Sequence, residues 1–120
     1  MTDTIETTTE FRPKFDEKGL LTAVCLDAGT RDVLMVAFMN VDALAKTRET
    51  GFAYFWSRSR QSLWKKGETS GHVLTVKDIL VDCDQDCLVL VCDPAGPACH
   101  TNAPTCFYRR LTDDGLEMIG

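Results

Sequence analysis

A chain of 120 residues, 44% of them hydrophobic and 26% charged, has the size and composition of a single folded domain. Thirteen bases against eighteen acids give a formal net charge of −5, which argues against a general affinity for nucleic acid. No apolar run approaches the ~20 residues of a membrane span, and the acidic first ten residues are the reverse of a targeting leader, so a cytoplasmic address is expected.

Residues 1–18 read as a loose N-terminal arm whose apolar content is little more than Phe11 and Phe15, followed by one domain over 19–120. Leu20 to Leu26 and Val33 to Met39 are aliphatic runs separated by Asp27-Ala28-Gly29-Thr30-Arg31-Asp32, the pattern of a β-hairpin. Asn40 offers a helix cap; Val41, Leu44 and Ala45 then recur at helical spacing, and Gly51 supplies a stop. Phe52 to Ser57 reads as a strand, and Arg58 to Gly71 as a basic, glycine-containing loop. Val73 to Val81 and Leu88 to Cys92 read as two further strands, and Cys106 to Leu111 as the last, before a polar tail. One short helix and about six strands predict a β-rich α+β fold built on a mixed or antiparallel sheet.

Six cysteines in a chain expected in the cytosol point to metal binding or catalysis more than to disulfides. Cys25 and Cys92 lie in apolar runs and read as buried core residues. Asp82-Cys83-Asp84-Gln85-Asp86-Cys87 alternates with a period of two. Read as extended chain, it puts Asp82, Asp84 and Asp86 on one face and Cys83 and Cys87 on the other. Clustered carboxylates repel unless neutralised and suit Mg²⁺, whereas thiolates suit zinc. The plain alternative is a solvated strand end. An EF-hand is excluded, because its sixth position wants glycine and here is Cys87.

Cys99-His100-Thr101-Asn102-Ala103-Pro104-Thr105-Cys106 encloses a loop of turn formers between two thiols. In an extended segment Cys83 and Cys87 stand about 13 Å apart, too far to share an ion unless the chain bends. Cys83 stands beside the carboxylates, so Cys83, Cys99 and Cys106 are the expected zinc ligands. Three ligands leave a position for water, as in catalytic zinc sites; a closed structural site, with His100 or another cysteine as fourth ligand, is the alternative. His100 is better placed as a proton shuttle.

Four blocks then resemble the phosphoribosyl-AMP cyclohydrolase family: Val36-Ala37-Phe38-Met39-Asn40, Trp64 to His72, Asp82 to Asp86, and Gly96 to His100 continuing to Cys106-Phe107-Tyr108. The resemblance implies a hydrolase of histidine biosynthesis that opens the adenine ring of 1-(5-phosphoribosyl)-AMP at its N1–C6 bond. It also implies one zinc per subunit at Cys83, Cys99 and Cys106, Mg²⁺ at Asp82, Asp84 and Asp86, and an intertwined homodimer whose zinc ligands come from both chains. His100 would be the catalytic proton carrier. The loop with Trp64, Lys65, Gly67, Glu68, Thr69, Ser70 and His72 has the composition of a phosphate cradle and would bind substrate. Departures from the family pattern are Leu74 for glutamine, Asn102 for glycine and Thr105 for serine.

Three rivals differ in class. A structural zinc module would hold a protein-binding surface together, and a thiol redox protein would use Cys83, Cys87 and Cys92. A nucleobase deaminase is excluded, because its His-x-Glu and Pro-Cys-x-x-Cys signature is missing.

Overall fold

The structure, a computed structural model, describes residues 4–119. Its centre is a four-stranded sheet in the order β2-β1-β6-β5. Strands β1 (Leu21–Asp27) and β2 (Val33–Met39) form the expected hairpin, in antiparallel register from Leu21↔Met39 to Leu26↔Val33. Helix α1 (Val41–Thr50) follows at once. Asn40 caps it by accepting the Ala43 N–H at 2.8 Å, a contact worth about 1 kcal/mol. Gly51, at φ 80°, ends it in the left-handed conformation that glycine enters without penalty.

Strands β3 (Tyr54–Ser57) and β4 (Ser62–Lys65) make a small separate hairpin, so the basic segment expected to be loop contains a strand. Strands β5 (Leu74–Val81) and β6 (Cys87–Pro94) pair antiparallel, and β6 runs parallel to β1. The predicted final strand starts later than expected, as β7 (Arg109–Thr112), and the tail read as polar forms β8 (Gly115–Met118) against it.

Alternation decides which face of the sheet is covered. Leu21, Ala23 and Cys25 on β1 and Leu88, Leu90 and Cys92 on β6 are all buried, packed with Met39, Ala43, Leu44 and Phe55 into one core. Cys25 and Cys92 are thus the core residues that the sequence suggested. Thr47 fastens the helix to β3: its buried hydroxyl donates to the Ala43 carbonyl at 2.9 Å and accepts the Tyr54 N–H at 3.0 Å. The N-terminal arm is not loose where it meets the sheet, since Phe11 and Phe15 pack against the core.

Candidate active site

The Asp82–Cys87 segment is not extended. It is the turn joining β5 to β6, with Gln85 in the left-handed region at φ 58°. The alternation argument therefore fails as geometry, and so does the 13 Å separation drawn from it. The physical reason lies in the turn's own hydrogen bonds: Asp82 Oδ1 accepts the Asp86 and Cys87 N–H groups at 2.9 and 3.1 Å, and the Asp82 carbonyl accepts the Gln85 N–H at 3.0 Å. Asp82 holds the turn closed as an aspartate at the start of a turn does.

By turning, the segment gathers what the extended reading also gathered. One carboxylate oxygen from each of Asp82, Asp84 and Asp86 lies within 4.8 Å of the others, the only such group of three or more ligating residues among the described residues. Hard carboxylate oxygens are the ligands Mg²⁺ takes, so the three exposed carboxylates suit it in chemistry, and their side chains are free to adjust the spacing. Their mutual charge is visible in their acidity. The Asp86 carboxyl is pushed up by its hydrogen bond with Asp82, by desolvation, and by the charges of Asp82 and Asp84. Desolvation also acts upward on Asp82, but its hydrogen bonds with Asp86 and the Cys87 amide outweigh it and the carboxyl ends lower.

A second cluster forms where the chain leaves β6. The loop from Cys99 to Cys106 folds back through Asn102 N–H to the Cys99 carbonyl at 3.0 Å and Cys99 N–H to the Ala103 carbonyl at 3.2 Å. Asn102 sits at φ 70°, a conformation asparagine tolerates in place of glycine. Thr105 anchors the loop to β2: its hydroxyl donates to the Val33 carbonyl, and the Cys106 N–H donates to the Leu34 carbonyl at 2.8 Å. A serine hydroxyl would serve equally. Leu74 is fully buried in the core, where an aliphatic side chain needs no polar partner.

The fold-back brings the Cys99 and Cys106 thiols close enough for each to act on the other's acidity. Cys99 is buried, and its acidity is raised by the Thr101 hydroxyl donating to Sγ at 3.0 Å, by the Thr101 amide, and more weakly by Cys106 and the Lys66 ammonium. Cys106 is pushed the other way by desolvation and by Cys99. The pair thus contains one sulfur predisposed to be thiolate, the form that binds metal. Soft thiolates are the ligands that suit zinc, so two cysteines on one folded-back loop are chemically fit to hold it. Cys83 is exposed on the β5–β6 turn and does not join them within one chain. His100, next to Cys99, is exposed.

A cleft of about 450 Å³ opens beside the β3–β4 hairpin. Trp64, Lys65, Gly67, Glu68, Thr69 and Ser70 line it, together with Ser57, Ser59 and Arg60 from the hairpin. Trp64 is half-buried with its ring 5.1 Å from that of Phe55, so it serves the core and the cleft together. His72 does not line the cleft. Its ring lies on Gly96, where a Cβ would come within 2.6 Å of Cδ2, and its backbone lies on Gly67, where a Cβ would come within 2.4 Å. His72 thereby clamps the cleft loop to the segment that leads to Cys99. Lys66, the second lysine of the Trp64–His72 loop, acts on the cysteine pair through its charge, which lowers the proton affinity of both thiols.

Comparison with known proteins resolves the family. The family model for phosphoribosyl-AMP cyclohydrolase matches residues 35–108, which include both cysteines of the loop, the aspartate turn and the cleft. The chain belongs to the phosphoribosyl-AMP cyclohydrolase family. Its members are hydrolases of histidine biosynthesis. The phosphoribosyl-AMP cyclohydrolase of Erythrobacter litoralis strain HTCC2594 is 63% identical over 114 residues, spanning 95% of this chain and 91% of its own. Those of Sphingopyxis alaskensis and Hyphomonas neptunium are 59% and 55% identical, over 92% and 94% of this chain and 87% and 86% of theirs. Residues 4–34, which include the arm and β1, precede the part that matches the family model.

Proposed function

We propose that the chain hydrolyses the adenine ring of 1-(5-phosphoribosyl)-AMP across its N1–C6 bond, giving the phosphoribosyl-formimino-AICAR phosphate intermediate of histidine biosynthesis in the cytoplasm, at a zinc site shared by two subunits. The observation that carries this reading is the loop that folds Cys99 and Cys106 back towards each other, within the stretch that matches the family, so that each thiol shifts the other's acidity. They supply two ligands, and Cys83 of the partner subunit supplies the third. Zinc bound there would act as a Lewis acid that makes water nucleophilic near neutral pH.

A homodimer is supported by surface that one chain leaves bare. Leu111, Leu116 and Met118 on the β7–β8 hairpin and Val36 and Leu80 on the sheet are exposed, large apolar side chains that a subunit contact would cover. Because Cys83 stands between Asp82 and Asp84, its arrival at the partner's cysteine pair would bring the carboxylate turn with it. Asp82, Asp84 and Asp86 would hold Mg²⁺ there, close to substrate hydroxyl or phosphate.

The chain's own residues would do the rest. Lys65 and Arg60 bind phosphate at the cleft, with the Thr69 and Ser70 hydroxyls beside them. Substitution at N1 makes C6 electrophilic; water adds at C6 and the N1–C6 bond breaks. His100, exposed beside Cys99, moves a proton from the attacking water towards the departing nitrogen. Elemental analysis of the purified protein, coupled to a spectroscopic assay of purine ring opening, tests the reading. Zinc that co-purifies, activity lost on chelation and activity restored by zinc are expected. Full activity in exhaustively chelated, zinc-free protein would overturn it.

A further inference from the structure

The turn that gathers the carboxylates is held from outside. Gln85 occupies a left-handed backbone conformation that costs a residue with a Cβ about 1–2 kcal/mol, and its side chain is buried, with 5% of the residue exposed. A buried amide requires partners, and every one recorded for this side chain lies in the N-terminal arm. Its Oε1 accepts the Arg12 N–H at 2.6 Å, and its Nε2 donates to the Ile5 and Glu10 carbonyls, each at 3.3 Å. The Gln85 carbonyl accepts the Lys14 N–H at 2.7 Å. Four contacts thus join the arm to one residue, and all four use main-chain groups of the arm. Asp84 and Asp86 flank Gln85, so the backbone angles these contacts fix are the angles that aim two of the three carboxylates.

We propose that residues 5–14 brace the aspartate turn through Gln85, a positioning residue, and so raise the affinity of Asp82, Asp84 and Asp86 for a divalent cation. The inference rests on the reading of those carboxylates as a metal site. It assigns a role to a segment that precedes the part of the chain matching the family model. Coupling of this kind is reciprocal: if the docked arm favours the cation, the cation favours the docked arm by the same factor.

The test uses the purified full chain with Mg²⁺ or Mn²⁺ alone. Hydrogen exchange at the Arg12 and Lys14 amides should slow about three- to tenfold on saturation with Mg²⁺, the scale of one or two hydrogen bonds. Mn²⁺ affinity, read from the electron paramagnetic resonance of the free ion, should fall by a similar factor in Arg12→Pro, which deletes the N–H that Gln85 accepts. Arg12→Ala, which keeps that N–H and removes only the exposed ion pair with Glu10, should bind as the unaltered chain does. Exchange at these two amides that ignores Mg²⁺ overturns the brace, whatever Arg12→Pro does, and leaves the metal reading standing if Mn²⁺ still binds. An unaltered chain that binds no Mn²⁺ overturns both.

Discussion

His100 and the two cysteines that surround it in sequence divide their tasks by exposure. Cys99 is buried under the Thr101 hydroxyl, while His100, one residue on, faces solvent. Adjacent side chains pointing to different surroundings seldom ligate the same ion, so His100→Ala is expected to lower kcat by about 10²–10³, within the range of general acid–base catalysis. Zinc content, measured on the same preparation, should stay at the wild-type level; parallel loss of metal would make His100 a ligand. The residue scale is also where the sequence was most legible. Asn102, standing where the family pattern has glycine, takes the left-handed angle, and Cys25 and Cys92 went to the core. Gln85 was not legible, because its left-handed angle and its burial are set by partners more than seventy positions away in sequence.

Elements were legible where a local pattern was complete. The β1–β2 hairpin has its alternation, and α1 has a cap, a helical period and a terminal glycine; all fell where expected. Strand β4 was hidden because four residues among bases and glycines carry too little alternation to register. The β7–β8 hairpin had a readable signal, Asp114-Gly115 between Leu111 and Leu116, but its polar surroundings made it look like a tail. The aspartate turn was misread for want of a glycine or proline, and the overlooked cue was Asp82 as a turn-opening aspartate.

Two predictions belong to the elements. Gly96→Ala drives a Cβ into the His72 ring, so it should lower stability by about 1–3 kcal/mol and shift the cysteine loop. Adding His72→Ala should recover most of the loss, measured by denaturant unfolding and zinc content; no recovery would place the clash elsewhere. Leu74, at the start of β5 and wholly buried, should cost about 2–5 kcal/mol when cut to alanine. The same unfolding curves check it, and a smaller loss would mean that the site collapses around the deletion.

The whole molecule poses the question a single chain does not answer. Cys99 and Cys106 stand together while Cys83 lies apart on another turn, and the apolar surface of β7–β8 and of the sheet is uncovered. The proposed second copy would account for both facts at once. It would bring a third thiolate to the pair and bury the bare surface in an interface that closed two-fold symmetry makes self-complementary. Family membership was legible at this scale from four separated blocks, whereas the pairing of subunits entered only through the resemblance, since no local pattern encodes which chain a ligand comes from.

The most direct measurement is a mixing experiment. Cys83→Ala and Cys99→Ala chains, each inactive alone, are co-expressed and assayed for zinc and for purine ring opening. If ligands are shared, each mixed dimer carries one site with both defects and one site with none. Activity should then return to about a quarter of wild type, because half of the dimers are mixed and half of their sites are intact. Zinc should return with it. If instead the mixture stays as dead and as metal-free as its parents, the zinc centre is not built from two chains.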